Sequence, residues 1–165
     1  MILTKTENAF KELYASQAGG VRRFVTGIVG NGSVAEEITQ ESFLKAWKAL
    51  PSFAFRNTLK TWVYSVALNT ARDWLRSHSG KTYVALDPDA LEATEVETPE
   101  TRAVREALME LDEDTRVVLM LHYYDDLALS EIAKILGVPS GTVKSRLFAA
   151  KGKLRPKLVA KGFDV

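Results

Sequence analysis

The chain has 165 residues, 46% of them hydrophobic, with 22 basic and 21 acidic side chains and no cysteine. That length and apolar content suit one ordinary domain or two small ones and exclude wholesale disorder. Disulfides and thiolate metal sites are excluded, and His78 and His122 lack a second ligand at zinc spacing, so neither metal nor cofactor is expected.

No basic leader with an apolar core occurs, and no apolar run approaches the roughly 20 residues that span a bilayer, so a cytoplasmic chain without membrane insertion is predicted. The small net charge conceals opposed blocks. Residues 1–86 carry 11 basic and 6 acidic side chains, 87–100 carry 6 acidic and none basic, and 127–165 carry 8 basic and 2 acidic. Two basic blocks flanking an acidic stretch favour a polyanionic partner touched in two places.

Apolar residues recur at helical spacing from the start: Phe10, Leu13 and Tyr14, then Val21, Phe24, Val25, Ile28 and Val29. Gly19-Gly20 is read as a break between two helices. In "NGSVAEE", Ser33 and Glu36 have the spacing of a capping box, predicting a third helix from about Val34 to Leu50 that ends at Pro51. "SFAFRNT" reads as a loop, and Asn57 or Thr58 is placed to cap a fourth helix carrying Leu59, Trp62, Val63, Val66, Ala67 and Leu75. Between His78 and Pro99 the helical period fades and Asp, Glu, Pro and Thr dominate, as in a linker. Helical spacing resumes at Glu100 with Val104, Leu108 and Leu111, and Asp112 is placed to cap a further helix.

"LALSEIAKILGVPSGTVKSRLFAAKGKL" has the pattern of a helix-turn-helix. Ser130 is placed as a cap, Ala133 is small where two helices meet, Gly137 supplies the turn and Ser140 caps the second helix. With Val143 and Leu147 facing inward, Thr142, Lys144, Ser145, Phe148 and Lys151 fall on the outward face that a recognition helix presents to bases and phosphates. Arg146, Lys153 and Arg155 add candidate phosphate contacts. This pattern points to DNA without specifying the kind of regulator.

"SVAEEITQESFLKAWKAL" and "TLKTWVYSVALNTARDWLRS", followed at a distance by "GVPSGTVKSRL", closely resemble bacterial sigma factors of the extracytoplasmic-function group in the sigma-70 family. The resemblance covers nearly the whole chain, in the family's order. It implies an all-α architecture of two small domains: a four-helix region 2 bundle over residues 1–80 and a helix-turn-helix region 4 domain over 100–165, joined by an acidic linker at 81–99. It also implies a protein that binds core RNA polymerase and promoter DNA and performs no covalent chemistry itself.

By that resemblance, Glu37, Gln40, Glu41, Phe43 and Leu44 on the first motif hold the polymerase, with Phe43 expected as an exposed aromatic. The −10 element falls to Phe55, Arg56 and Asn57 in the loop and to Lys60, Asn69, Arg72 and Arg76 on the helix after it. An Asn amide donates and accepts at a base edge, while Arg suits phosphate. The −35 element falls to Ser130, Ser140, Thr142, Lys144, Ser145, Arg146, Phe148 and Lys151. An anti-sigma factor is implied as a further partner, and no small-molecule substrate.

Two departures from the family are visible. Members usually read close to F-R-G-x-S-x-F where this chain has Phe53-Ala54-Phe55-Arg56-Asn57-Thr58-Leu59, so the −10 preference is expected to differ. The usual R-L-x-R-A-R becomes Arg146-Leu147-Phe148-Ala149-Ala150-Lys151, which removes an arginine at 149 and shifts the expected −35 contacts toward Lys144, Lys151 and Lys153. Taken alone, the helix-turn-helix also fits a DNA-binding transcription regulator that is not a sigma factor, or a helical interaction module whose DNA elements have degenerated. No carboxylate pair with a His, phosphate loop or nucleophile constellation suggests an enzyme.

Overall fold

The computed structural model describes residues 4–53, 58–78 and 98–165. Seven α-helices and no strand occur among the described residues. Helix α1 (Lys5–Val29) starts at Thr4, whose hydroxyl accepts from the Glu7 N–H while the Glu7 carboxylate accepts from the Thr4 N–H. It runs unbroken through Gly19 and Gly20, so the expected break is absent and the described residues of the first half hold three long helices rather than four. Two helix-weakening glycines cost about 1 kcal/mol each, but the face formed by Phe10, Val21, Phe24, Val25 and Ile28 is buried and outweighs them.

Gly30, at φ 74°, ends α1 in the left-handed region, and helix α2 (Gly32–Ala49) follows at once. Its cap is Asn31, whose side chain accepts from the Val34 N–H at 3.0 Å, not the Ser33–Glu36 pair expected. Glu36 is used elsewhere, in an ion pair with Arg22 at 3.1 Å. Pro51 stops the helix in a short 3-10 turn over Leu50–Ser52. Thr58 caps helix α3 (Leu59–Ser77), as one of the two candidates, through the Thr61 N–H. The three helices enclose Phe24, Ala35, Ile38, Phe43, Val63, Ala67 and Leu68.

The expected linker lies, up to residue 97, outside the described residues. Thr98 caps helix α4 (Pro99–Met109) and Asp112 caps helix α5 (Glu113–Leu119) through the Thr115 N–H. Hydrogen bonding to Thr115 holds the Asp112 carboxyl down at about 2. A π-helical turn over Met120–Tyr124 extends α5. Then come helix α6 (Leu129–Leu136) and helix α7 (Ser140–Ala160).

The two helix sets share one continuous core, and the contacts between them are specific. Arg116 of α5 is buried and donates Nε to Gly27 O at 2.6 Å, Nη2 to Ile28 O at 3.2 Å and Nη1 to Leu111 O at 2.8 Å. The first two carbonyls lie in the last turn of α1, where the helix dipole favours a cation. Met120 lies against Gly27 so closely that a Cβ there would sit 2.1 Å from its Cε. Tyr64 of α3, 1% exposed, donates its hydroxyl to Asp125 Oδ1 at 2.9 Å.

Candidate nucleic-acid interface

The recognition helix α7 begins after Gly137, whose φ of 68° makes the tight turn out of α6. The two expected serine caps are not used. Helix α6 starts after Ala128, whose N–H is taken by the Glu131 carboxylate at 3.0 Å, leaving Ser130 inside the first turn and exposed. Helix α7 starts after Pro139, whose fixed φ of −61° sets the entry without a side-chain cap, leaving Ser140 as its first residue.

Val143, Leu147 and Ala150 are buried against the fold, which turns Ser140, Lys144, Ser145, Arg146, Phe148 and Lys151 outward and leaves Thr142 half-buried. Phe148 is 82% exposed, which is unusual for so large an apolar ring on a charged face. The Ser145 hydroxyl donates to Gly141 O at 3.0 Å. The Lys151 ammonium lies 5.6 Å from the ring centre of Tyr123. Lys153 is held by Asp112 at 3.3 Å, so this charge is partly committed within the fold.

On α3, Asn69, Asp73 and Arg76 are exposed, Asp73 pairs with Arg76, and Lys60 is half-buried. Arg72 does not stand open to a phosphate as expected. Its Nε is 2.8 Å from Glu113 Oε1 and its Nη2 is 3.0 Å from Asp114 Oδ1, because the first turn of α5 packs beside it. Phe55, Arg56 and Asn57 lie outside the described residues.

A third surface lies on the outer side of α2, where Glu37, Gln40, Glu41 and Leu44 are exposed in one ridge. Gln40 bonds Glu36 at 3.3 Å, and Glu41 pairs with Lys45 at 3.0 Å. Phe43 is not the exposed aromatic expected. It is 3% exposed, edge-on to Phe10 at 6.2 Å and to Tyr14 at 4.9 Å, because position 43 falls on the same inward stripe as Ala35, Ile38 and Ala46. The exposed ring beside the ridge is Tyr14, at 50%. Sequence reasoning passed over it because its helical spacing with Phe10 signals core.

Between the two helix sets the electrostatics are strained. Burial pushes the Asp125 carboxyl up to about 6 and the Tyr64 hydroxyl well above its usual range. Asp125 Oδ2 and His122 Nδ1 are buried without a partner among the described residues. Arg116 was not singled out from the sequence, since one Arg in "DEDTRVVL" looks like ordinary helix surface.

Known proteins resemble both halves. A family model described as Sigma-70 region 2 matches residues 13–81, and one described as Sigma-70, region 4 matches residues 101–154. A protein named ECF RNA polymerase sigma-E factor from Salmonella typhimurium is 34% identical, over 92% of this chain and 87% of that protein. Its namesake from Escherichia coli strain K12 is 33% identical over the same shares. Among solved structures, the sigma factor RpoE in complex with the anti-sigma factor NepR from Bartonella quintana matches with a TM-score of 0.72 and 22% identity, covering 91% of this chain and 96% of that one. CnrH in complex with the cytosolic domain of CnrY matches with a TM-score of 0.73 and 24% identity, over 93% and 90%. At these identities the two structures speak to the fold.

Proposed function

We propose that this chain, which belongs to the extracytoplasmic-function group of RNA polymerase sigma factors, divides polymerase binding, −10 capture and −35 reading among three of its helices. As a sigma factor it binds core RNA polymerase and directs promoter recognition and transcription initiation. Residues 1–80 act as the region 2 domain, 81–99 as a tether and 100–165 as the region 4 domain. It works in the cytoplasm by binding alone, without covalent chemistry. Among the described residues no helix is long and apolar enough to cross a membrane.

Glu37, Gln40, Glu41 and Leu44 grip the polymerase, with Tyr14 adjoining them; Phe43 supports that ridge from beneath. Asn69 reads an extruded base of the −10 element, and Lys60, Arg72, Arg76 and the loop residues Phe55, Arg56 and Asn57 hold the strand. Taking a base from the stack costs a few kcal/mol, which these contacts return. Lys144, Arg146 and Lys151 bind −35 phosphates and base edges, Ser130, Ser140, Thr142 and Ser145 add polar contacts, and Phe148 adds apolar area. Tethering the two DNA contacts makes the second intramolecular. An anti-sigma protein that covers these surfaces is a further partner; one structural relative, the sigma factor RpoE, is in complex with the anti-sigma factor NepR.

The observation that carries this division is the exposed acid, amide and leucine ridge on α2, for which an ordinary helix-turn-helix regulator has no use. The test is the affinity of the purified chain for core RNA polymerase without DNA. Nanomolar binding is expected, weakened about tenfold or more by Gln40→Ala combined with Leu44→Ala. Unchanged affinity in that variant removes the ridge from the interface.

A further inference from the structure

Helix α7 carries lysines held in two different ways. Lys153, Lys157 and Lys161, spaced four residues apart, reach back to acids of the same helix set: Lys153 to Asp112 at 3.3 Å, Lys157 to Glu110 at 3.3 Å, and Lys161 to Glu106 and Glu110 at 3.4 and 3.3 Å. This ladder ties the second half of α7 to α4 and to the cap of α5, and it answers the charge of each lysine within the fold. Lys151 forms no ion pair among the described residues. Its ammonium lies instead 5.6 Å from the ring centre of Tyr123, a neutral partner.

The two kinds of partner differ in consequence. A carboxylate cancels the charge it binds, whereas an aromatic face attracts the ammonium through its quadrupole and leaves the net charge in place. The ammonium has three N–H donors, so contact with a ring on one side leaves donors for a phosphate oxygen on another. Tyr123 is 56% exposed, and burial does not account for its position. The π-helical turn Met120–Tyr124 does: the Asp125 N–H reaches back five residues to Met120 O at 3.1 Å, and the extra residue turns Tyr123 and Tyr124 outward after a run, 115–121, that is buried throughout. Such turns are frequent at functional positions. The His122 ring packs edge-on to Tyr123 at 4.7 Å and supports it from the other side.

We infer that Tyr123 is a positioning residue of the −35 surface: its ring holds the Lys151 ammonium in place for a DNA phosphate without neutralising it. This role rests on Lys151 being a −35 phosphate contact. In the turn over residues 148–151 the sequence is Phe, Ala, Ala, Lys, so Lys151 is its sole cation. Ordering a long, flexible side chain on binding costs affinity, and a contact that orders it beforehand removes part of that cost.

The test uses the full chain and a fluorescent mixed-sequence duplex of about 25 base pairs, since a phosphate contact carries no sequence information. Affinity is read across a salt series for the parent, Lys144→Ala, Lys151→Gln, Tyr123→Leu, Tyr123→Phe, and Tyr123→Leu combined with Lys151→Gln. Thermal midpoints check that each variant folds; the exposure of Tyr123 and Lys151 keeps all of these replacements at the two positions out of the core.

Lys151→Gln is expected to lower the slope of log affinity against log salt by about 0.9. Tyr123→Leu is expected to weaken binding about two- to fivefold and to lower the same slope by part of that amount, although it removes no charge. A residue that only packs α5 against α7 has no reason to move the slope. Tyr123→Phe keeps the ring face and is expected to match the parent, and Tyr123→Leu is expected to cost nothing further once Lys151 is gone. Unchanged or tighter binding by Tyr123→Leu overturns the role, the second because it makes the ring a competitor for Lys151. A loss in Tyr123→Phe, which assigns the effect to the hydroxyl, overturns it too, as does a loss in Tyr123→Leu that persists without Lys151. If Lys151→Gln has no effect while Lys144→Ala weakens binding, the −35 reading of α7 stands and the role of Tyr123 falls; if neither lysine matters, that reading falls as well.

Discussion

Replacing Asp125 by asparagine should stabilise the chain at pH 7 and change how its stability responds to acid. The carboxyl is pushed from 3.8 up to about 6, first by burial, against the hydrogen bond from Tyr64 and the fields of Arg23 and Lys60, which favour the charged form. At about 1.4 kcal/mol per tenfold, that displacement sets an upper bound of about 3 kcal/mol on the cost of keeping the group ionised in the folded chain. Because the folded value is raised, the folded state binds the proton more tightly than the unfolded one. The cost is therefore full above pH 6, shrinks as the pH falls from 6 toward 3.8, and is gone below that.

Between pH 7 and pH 5 this single group should contribute about 1 kcal/mol of added stability to the parent and nothing to Asp125→Asn, whose amide still accepts from Tyr64. Urea unfolding of both proteins at the two pH values measures the difference directly. Parallel stability curves for the two proteins would refute the reasoning and show that Asp125 keeps access to water.

Arg116→Met should destabilise the chain by about 3 kcal/mol, seen as a lower thermal midpoint, since it leaves the Gly27, Ile28 and Leu111 carbonyls without their donor. Lys144→Ala should weaken binding to −35 duplex and lower the slope of log affinity against log salt by about 0.9, while oligothymidine binding changes less. An equal loss on both substrates would contradict separate DNA surfaces on α3 and α7.

Much of the helical order was legible because spacing, caps and breakers act locally. The inward stripes of α1, α2 and α3, the caps at Thr58 and Asp112, and the turn at Gly137 all stand where residue chemistry places them. Gly19-Gly20 misled because local propensity was set against a packing face that the window did not weigh. In the folded chain Gly20 leaves room for Tyr64, whose hydroxyl would lie 3.0 Å from a Cβ there. Ser33, Ser130 and Ser140 failed as caps because Asn31, Glu131 and Pro139, one to two residues away, satisfy or fix the same helix starts.

The sequence by itself determined an all-helical chain, its family, and which residue types lie along α2, α3 and α7, since these follow from periodicity and from motifs contiguous in the chain. Only the tertiary structure decided which of those side chains are available. Phe43 is spent on the core, and Arg72 is bound by acids 41 and 42 residues away in the chain. Arg116 reaches carbonyls nearly ninety residues upstream. A motif states what a residue is able to bind, whereas its occupancy depends on partners brought from the other half of the chain by a shared core.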